Sequence, residues 1–345
     1  MQTNLTNDPN DAAEFIKHGG IVAFPTETVY GLGGSVFDEA AIRKIFEAKR
    51  RPLDNPLIAH VADVGQIGEL ATEITESAEK FIDKFFPGPL TIVLRKTTAV
   101  SMIATAGLDT IGIRMPRGKL ASEFLRLSGV PVVAPSANIS GRPSPTTWEA
   151  VYEDLNGRID CILQGDATEI GLESTVVDCT SDAPVILRSG SISLDELCAV
   201  VPGTILYEAL GDEATRSPGM RHRHYSPAAR VVLVNYELRI MNYTERIANY
   251  ELPITNYEVY KAAYIGLTKP NEAYSTERIC GSVEEYAHEV FEFFRECDRQ
   301  GITTIYCETV EESGIGAALM DRLRRAAGSG IRQDAGTRRR RDAER

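Results

Sequence analysis

Near the N-terminus, one short stretch of chain carries hydroxyl groups, a carboxylate and three adjacent cations. An apolar run at 21–24 leads into Pro-Thr-Glu-Thr-Val-Tyr at 25–30, and an amphipathic segment at 38–49 ends in the basic triplet 49–51. Cations at a helix C-terminus compensate the helix dipole, which is the purely structural explanation of the triplet. However, the Pro-rich turn 52–56 fixes these cations beside the hydroxyl groups. We therefore interpret the stretch as an anion-binding site.

Further strand-like runs also end in polar side chains. Arg114 closes the apolar run 110–114, where a cation needs a partner, and no carboxylate alternates with it nearby. We therefore expect a carboxylate or phosphate of a ligand to pair with it. The segment 134–146 carries more Ser, Asn and Thr side chains than capping the next helix requires. With Gly-Leu-Glu-Ser-Thr at 171–175 and Leu-Arg-Ser-Gly at 187–190, these strand ends predict a cavity lined for an anionic, polar ligand.

Composition limits the class of protein. With 345 residues, 43% of them hydrophobic, the chain is long and apolar enough for about two domains. No apolar run approaches the ~20 residues of a membrane span, and the N-terminus lacks the layout of a signal peptide, so we expect a soluble, cytoplasmic protein. The six cysteines show no CxxC spacing, which favours free thiols and predicts no structural metal. A net charge of -12 argues against a general affinity for nucleic acid.

The motifs of several common enzyme classes are missing from the sequence. It contains neither a P-loop nor a GxSxG nucleophile elbow, so nucleotide binding by a P-loop and covalent catalysis by an activated serine have no support. His222 and His224 alternate with Arg221 and Arg223 and have no third metal ligand nearby. We interpret this segment as a basic loop that contacts phosphate or the mouth of the cavity.

Alternating strand-like and helix-like segments divide the chain into two α/β domains. We assign the first domain to residues 1–201, an ordered linker or lid to 202–229, and a second, smaller domain to 230–327. The second domain contains an insertion at 235–261, in which a heptad beginning with Asn-Tyr is repeated. A proline interrupts the repeat, so we interpret it as a surface excursion rather than a coiled coil. The basic segment 328–345 is predicted to be a disordered tail.

The individual elements are predicted from β-branched runs and from apolar positions at helical spacing. The predicted helices cover residues 39–49, 72–86, 119–128, 147–155, 283–299 and 316–327. The predicted strands cover residues 21–24, 57–61, 90–94, 110–114, 132–134, 161–163, 175–178, 185–188, 231–234, 263–267 and 303–307.

Taken together, these motifs resemble the YrdC-like family of threonylcarbamoyl-AMP synthases. The motifs are FPTETVYGLG, KRRPLDNPL, FFPGPLT, IGIRMP, APSANISGRPSPT, GLESTVVD and ILRSG, which follow one another between about residue 12 and residue 201. SPGMRHRHYSP, followed by an α/β unit, is similar to the longer, two-domain form of the family. The heptad insertion and the basic tail depart from the family pattern.

The resemblance implies an α/β fold: a YrdC-like twisted open sheet, mostly parallel or mixed, around a large concave cavity, with a smaller Rossmann-like C-terminal domain. It also implies a reaction in which L-threonine, bicarbonate and ATP give L-threonylcarbamoyl-AMP and pyrophosphate, with Mg²⁺ accompanying ATP. The product serves N6-threonylcarbamoylation of adenosine 37 in tRNAs that read codons beginning with A, and it passes to a tRNA threonylcarbamoyl transferase complex. Direct contact of the chain with tRNA is left open.

By the same resemblance, the quoted motifs supply the residues of the substrate sites. Lys49 and Arg51 hold the triphosphate and are the implied catalytic residues. The implied ATP-binding residues are Arg51, Asn55, Thr110, Ser136, Asn138, Ser144, Arg188 and Tyr225. The implied threonine-binding residues are Thr28, His60, Arg114, Ala134 and Ser174.

Two functions from other classes stay open. An RNA-binding module that uses the same concave face is disfavoured by the net charge of -12. Carbamoyl transfer in metalloenzyme maturation is disfavoured because the sequence lacks the acylphosphatase-like segment and the zinc-finger cysteine pairs of that larger architecture. Pyrophosphate release from ATP that depends on threonine and bicarbonate distinguishes the synthase from a nucleic-acid-binding module.

Overall fold

The computed structural model describes residues 2–207, 225–235 and 261–328. Several features predicted from the sequence lie outside these ranges. They are the linker residues 208–224, which include Arg221, His222, Arg223 and His224, the heptad insertion from 236 to 260, and the basic tail from 329 onward. Within the described ranges, no helix is long and apolar enough to cross a membrane.

A mixed sheet of 11 strands forms the centre of the first domain. Its strands are β1 (Asn4–Thr6), β2 (Val22–Phe24), β3 (Gly31–Ser35), β4 (Ile58–His60), β5 (Leu90–Arg95), β6 (Thr110–Arg114), β7 (Val132–Val133), β8 (Cys161–Leu163), β9 (Thr175–Asp178), β10 (Val185–Arg188) and β11 (Ile205–Leu206). They lie in the order β1-β8-β2-β3-β7-β4-β6-β5-β9-β10-β11. Parallel pairs such as β4 with β6 occur beside antiparallel pairs such as β5 with β6. The prediction of a mixed open α/β sheet is confirmed.

Strand β3 is rich in glycine and was not among the predicted strands. This strand pairs antiparallel with both β2 and β7. A side chain at Gly33 has no room, because a Cβ atom there would lie 2.5 Å from Val132 Cγ1 and 3.0 Å from Phe24 Cε1. The glycines therefore permit the close approach of neighbouring side chains within the sheet instead of bending the backbone.

Helix α2 (Glu39–Lys49) carries the basic triplet to the site. The carboxylate of Asp38 caps its N-terminus by accepting hydrogen bonds from the backbone amides of Ala40 and Ala41. Its C-cap residue, Arg50, adopts the left-handed conformation with φ 51° and ends the helix there. The other helices of this domain are α1 (Pro9–Lys17), α3 (Ile67–Leu70), α4 (Glu76–Phe85), α5 (Lys119–Ser128), α6 (Trp148–Leu155) and α7 (Leu194–Val200).

The predicted elements match the observed ones apart from their ends and from several short elements. The helix predicted at 72–86 begins only at Glu76, because the Thr75 side chain caps it. In this domain the sequence prediction missed β1, β3, β11, α1, α3 and α7. These elements are short, and β1 and β11 lie at the two edges of the sheet, where fewer buried positions impose a pattern.

The second domain is built on a four-stranded parallel sheet. Its strands β12 (Arg230–Val234), β13 (Ala262–Gly266), β14 (Thr276–Ile279) and β15 (Thr304–Glu308) lie in the order β12-β15-β13-β14, and its helices are α8 (Val283–Gln300) and α9 (Ile315–Ala326). The Rossmann-like character is confirmed, although β14 was not predicted. Val29 and Leu172 of the first domain are part of the buried core of the second, so the two domains share an apolar contact.

Candidate functional site

A cavity that includes about 760 Å³ of empty space, part of it open to solvent, lies where the ends of the central strands meet the end of α2. All but two of the residues assigned to substrate binding from the sequence line this cavity. The lining residues among them are Thr28, Lys49, Arg51, His60, Arg114, Ala134, Ser136, Asn138, Ser144, Ser174, Arg188 and Tyr225. Segments that are more than 100 residues apart in sequence thus contribute to one chamber.

Asn55 and Thr110 do not line the cavity. Thr110 begins β6 and Arg114 ends it, so about 13 Å of extended strand separates Thr110 from the cavity end. The assignment of Thr110 to the nucleotide site stays a prediction. Asn55 is 3% exposed, and its backbone carbonyl accepts a long hydrogen bond of 3.4 Å from Arg51 Nη2.

Lys49 is buried, although it belongs to the basic triplet at the end of α2. The side chain is 1% exposed, and Nζ donates hydrogen bonds to the backbone carbonyls of Ser136 and Asn138. Burial, together with the positive charge of Arg51, holds the pKa of Lys49 well below its usual value of 10.5. Lys49 therefore fixes the polar loop after β7 as well as lining the cavity.

Arg51 is the cation with the weaker protein contacts. Among the described residues, its Nη2 donates long hydrogen bonds of 3.4 Å to the carbonyls of Asn55 and Pro56. Burial lowers the pKa of Arg51 to about 10, so the guanidinium is still charged at neutral pH. Within the described residues, the cavity-lining atoms Arg51 Nε and Ser140 Oγ are buried without a hydrogen-bond partner. Buried donors of this kind indicate a place for an acceptor-rich ligand.

Arg114 has a protein carboxylate as its partner, which corrects the expectation that a ligand alone pairs with it. Arg114 Nη2 lies 2.8 Å from Glu27 Oε2, and Nη1 donates to Thr28 Oγ1 at 2.8 Å. Glu27 belongs to the FPTETVYGLG motif and is far from Arg114 in sequence, which is why a search for local alternation missed it. The pair leaves Arg114 within the cavity wall with its charge compensated.

His60 is a neutral polar group in this wall. Burial, with the nearby positive charge of Arg114, lowers the pKa of His60 to about 3. Its ring lies edge-on to Phe24, with 5.8 Å between ring centres. At neutral pH the imidazole can therefore accept or donate a hydrogen bond without adding charge to the site.

Glu173 is a cavity-lining residue that the sequence assignment left out. One of its oxygens accepts a hydrogen bond from Ser144 Oγ, and the other accepts one from Arg322 Nε of α9 at 3.0 Å. Burial acts to raise the pKa of Glu173. The positive charges of Arg322 and Arg188 outweigh this effect and keep the pKa below its usual value. The signal in the sequence that could have identified Glu173 was a carboxylate inside the GLESTVVD motif.

Arg188 and Tyr225 form another part of the cavity wall. Arg188 donates to the carbonyl and to the hydroxyl of Ser174, each at 3.1 Å. Tyr225 comes from the linker and stacks on Phe291 of α8, with 5.4 Å between ring centres. The prediction that the linker reaches the cavity thus applies to Tyr225, whereas Arg221 to His224 lie outside the described residues.

The sequence also matches two known family models. Residues 14–190 match the Sua5, YciO and YrdC model described as "Telomere recombination", and residues 192–328 match "Threonylcarbamoyl-AMP synthase, C-terminal domain". A threonylcarbamoyl-AMP synthase of Pyrococcus abyssi is 44% identical over 323 residues, covering 92% of this chain and 93% of the relative. The chain belongs to the threonylcarbamoyl-AMP synthase family.

Other members of the family are similar over the same length. The threonylcarbamoyl-AMP synthase of Bacillus subtilis is 40% identical, covering 94% of this chain and 95% of the relative. The crystal structure of P. abyssi Sua5 complexed with L-threonine superposes with a TM-score of 0.85 at 42% identity, covering 95% of this chain and 98% of that one. This chain therefore shares both domains with the longer form of the family.

Proposed function

We propose that this chain is an L-threonylcarbamoyladenylate synthase, which converts L-threonine, bicarbonate and ATP into L-threonylcarbamoyl-AMP and pyrophosphate. The observation that carries the proposal is the set of side chains that line the cavity described above. One part of its wall holds a cation with only long protein contacts, Arg51, and another holds a hydroxyl and a guanidinium, Thr28 and Arg114. A chain of this family thus has separate polar groups for a triphosphate and for an amino acid.

The chemistry requires two anions to react with each other. Threonine carbamate is negatively charged, and its oxygen must attack the α-phosphorus of ATP while pyrophosphate leaves. Charge compensation and alignment therefore dominate the barrier, as in other phosphoryl-centre reactions. Arg51 supports this role because its guanidinium is charged at neutral pH and Nε is buried without a partner within the described residues. Lys49 orders the adjacent loop by donating hydrogen bonds to the carbonyls of Ser136 and Asn138.

Threonine is assigned to the part of the cavity around β4 and β6. The Arg114 guanidinium and the Thr28 hydroxyl offer donors for its carboxylate, and Ser174 lies on the same lining. Neutral His60 supports hydrogen bonding to a polar group of threonine without repelling its ammonium group. Ala134 is small and 5% exposed, which leaves space beside these donors.

The adenosine part is assigned to the loop after β7 and to the wall formed by Arg188 and Tyr225. Ser136, Asn138 and Ser144 offer hydroxyl and amide groups, and the Tyr225 ring offers an apolar face.

Mg²⁺ enters this site as part of the MgATP substrate. Glu173 is the cavity-lining carboxylate among the described residues, and it is already engaged by Ser144 and Arg322, so phosphate oxygens are the suitable ligands for the ion.

The product is a mixed anhydride, which is labile in water and must be consumed by a further transfer. We assign that step to N6-threonylcarbamoylation of adenosine 37 in tRNA by a separate transferase complex in the cytoplasm. Family membership supports this assignment, and the net charge of -12 fits a protein that hands over a small molecule instead of holding tRNA itself.

The test is a reconstitution with purified full-length protein. Pyrophosphate release from MgATP is measured with threonine and bicarbonate, and with each omitted in turn, while ¹⁴C-bicarbonate is followed into an adenylate by chromatography. We expect release and labelling only in the complete mixture. Release that does not need threonine contradicts the proposal. Labelling only when ¹⁴C-carbamoyl phosphate replaces ¹⁴C-bicarbonate also contradicts it and points to carbamoyl transfer.

A further inference from the structure

Two buried arginines of the second domain reach into the first domain. Arg295 of α8 is 5% exposed and its Nη2 lies 2.9 Å from Asp154 Oδ2, at the C-terminal end of α6. Arg322 of α9 is 1% exposed and its Nε lies 3.0 Å from Glu173 Oε2. Both carboxylates belong to the first domain, so each pair joins the two domains in the protein interior.

Each of these carboxylates also holds the loop after β7. We call residues 138–144 the nucleotide loop. Asp154 accepts hydrogen bonds from the Ile139 amide at 3.2 Å and from Arg142 Nη1 at 2.7 Å, near the start and the end of this loop. Glu173 accepts the hydroxyl hydrogen bond of Ser144, the last residue of the loop. The two carboxylates therefore connect the loop to the arginines of the second domain.

The second domain also touches the nucleotide loop directly. Arg295 Nη2 donates to the carbonyl of Pro143 at 2.6 Å, and the amide of Ser226 in the linker donates to the carbonyl of Gly141 at 2.9 Å. Arg322 in addition lies 5.5 Å from the centre of the Tyr225 ring and donates to the carbonyl of Ser189 at 3.0 Å. Arg295 and Arg322 thus contact both the nucleotide loop and the part of the cavity wall that contains Tyr225.

Stability alone is a weak explanation for this arrangement. Buried ion pairs contribute little net stability, because the desolvation of both charges offsets their attraction. The domains already share an apolar core and an exposed ion pair between Arg299 and Glu153, at 3.1 Å. Arg299 lies one helical turn beyond Arg295 on α8, and it forms ion pairs with Glu153 and Glu292, which lie outside the nucleotide loop. It therefore provides a matched interdomain control.

We propose that Arg295 and Arg322 are positioning residues that hold the nucleotide loop in its reactive geometry through Asp154 and Glu173. The inference rests on the proposed synthase function and deepens it, because it makes the second domain part of the nucleotide half of the site. Neither arginine lines the cavity. Their effect is on the placement of Ser144 and its neighbours, where a displacement of about 1 Å can change rates by about 100-fold.

The first experiment compares Arg295→Lys, Arg322→Lys and the control Arg299→Lys in the full chain. Lysine keeps the positive charge that the buried carboxylates need, but it loses the planar fork that binds two partners at once. We expect kcat/KM for ATP to fall about 10- to 100-fold in the first two variants. We expect KM for threonine to stay within about two-fold, because the loop does not carry Arg114 or Thr28, and the control to match the unmodified protein.

The second experiment separates positioning from a loss of stability. A double-mutant cycle in kcat/KM for ATP combines Arg322→Lys with Ser144→Ala. If Arg322 acts through Glu173 on Ser144, the double variant loses little more activity than the single ones. Multiplicative losses, or equal losses in the KM values for ATP and threonine, overturn the proposal. If a lysine variant does not fold, the charge-free pair Arg322→Met with Glu173→Gln replaces it, and unchanged ATP kinetics in that pair likewise overturn it.

Calorimetric binding of MgATP in the absence of threonine keeps this inference distinguishable from the synthase assignment. A protein that releases no threonine-dependent pyrophosphate contradicts the proposed function. The positioning role is then judged by the dissociation constant for MgATP alone, which we expect to rise at least about ten-fold in Arg322→Lys and to be unchanged in Arg299→Lys. Equal dissociation constants in both variants overturn the inference.

Discussion

Lys49 and Arg51 are two residues apart in the same motif but have different surroundings. Lys49 Nζ is surrounded by carbonyl oxygens of the loop after β7, whereas Arg51 has only two long contacts of 3.4 Å with carbonyls in its own turn. Arg50 between them caps the helix and is exposed. The three cations are similar in sequence but differ in role. Lys49 orders a loop, Arg50 ends a helix, and Arg51 is available to a ligand.

A comparison of Arg51→Gln with Arg50→Gln tests this division. We expect Arg51→Gln to lower kcat/KM for ATP by about 30- to 1,000-fold, equivalent to about 2–4 kcal/mol, because a charged donor facing the triphosphate is lost. Arg50→Gln keeps the same backbone conformation and should stay within about two-fold. Steady-state pyrophosphate release gives both values, and equal losses in the two variants would rule out a special role for Arg51.

His60 makes the stability of the protein depend on pH. Its pKa is about 3 in the folded chain and near the ordinary 6.5 when unfolded, so between these values the unfolded chain binds more protons. Its contribution therefore falls as pH decreases below about 6.5, by roughly 1.4 kcal/mol per pH unit. Urea unfolding at pH 7.5 and 5.5 should show a larger loss in the unmodified protein than in His60→Gln. The same loss in both proteins would mean that other groups account for the pH effect.

Residue types and motifs predicted most of the cavity lining but not the contacts within it. All assigned residues except Asn55 and Thr110 line one chamber, because the motifs lie at the ends of neighbouring strands. The burial of Lys49 was not predictable, since its partner carbonyl at Ser136 lies 87 residues further along the chain. The Glu27 partner of Arg114 was missed for the same reason. Partners that come together only through sheet pairing leave no local spacing in the sequence.

At the scale of elements, glycines allow backbone segments to approach each other at the site. Gly33 lets β3 lie close to Phe24 and Val132, so this glycine-rich segment forms a strand that the sequence prediction missed. Gly171 has φ +80° and precedes Glu173, and a Cβ atom there would lie 2.5 Å from the Cα atom of His288 on α8. The helix of the second domain thus packs directly on the backbone that carries the Glu173 carboxylate.

Gly171→Ala should therefore disturb the domain contact, and Gly301→Ala provides its control. Both glycines have positive φ, but nothing lies within 4 Å of a Cβ atom at Gly301, which caps α8. We expect Gly301→Ala to lower the free energy of unfolding by about 1–2 kcal/mol through backbone strain alone. Gly171→Ala adds a backbone collision and should lower it by about 3–5 kcal/mol and also reduce kcat/KM for ATP. Urea unfolding and pyrophosphate release measure both effects, and similar values for the two variants would count against a tight contact with α8.

At the scale of the whole molecule, the second domain is structurally continuous with the catalytic one. Val29 and Leu172 lie in its core, and Asp154 and Glu173 accept its buried arginines. The sequence predicted two α/β units but not this continuity, because each pattern is satisfied within its own unit. Only the folded chain shows that apolar positions of the first unit, such as Leu172, face helices of the second.

This continuity predicts that the two domains unfold together. The chain has a single tryptophan, Trp148, which packs on the core of the first domain, whereas Cys280, Cys297 and Cys307 are buried in the second. Separating the domains would expose shared apolar surface and leave two carboxylates of the interface without their partners, so a half-unfolded state is costly.

The expected result is one urea midpoint, whether it is followed by Trp148 fluorescence or by thiol labelling of the three second-domain cysteines with peptide mapping. The double variant Arg295→Ala with Arg322→Ala removes the partners of both buried carboxylates and should shift the thiol-labelling midpoint to lower urea. Arg299→Ala, at the exposed pair, should leave the two midpoints coincident. Separate midpoints in the unmodified protein would show that the domains are energetically independent, and the second domain could then not act on the cavity through a rigid interface.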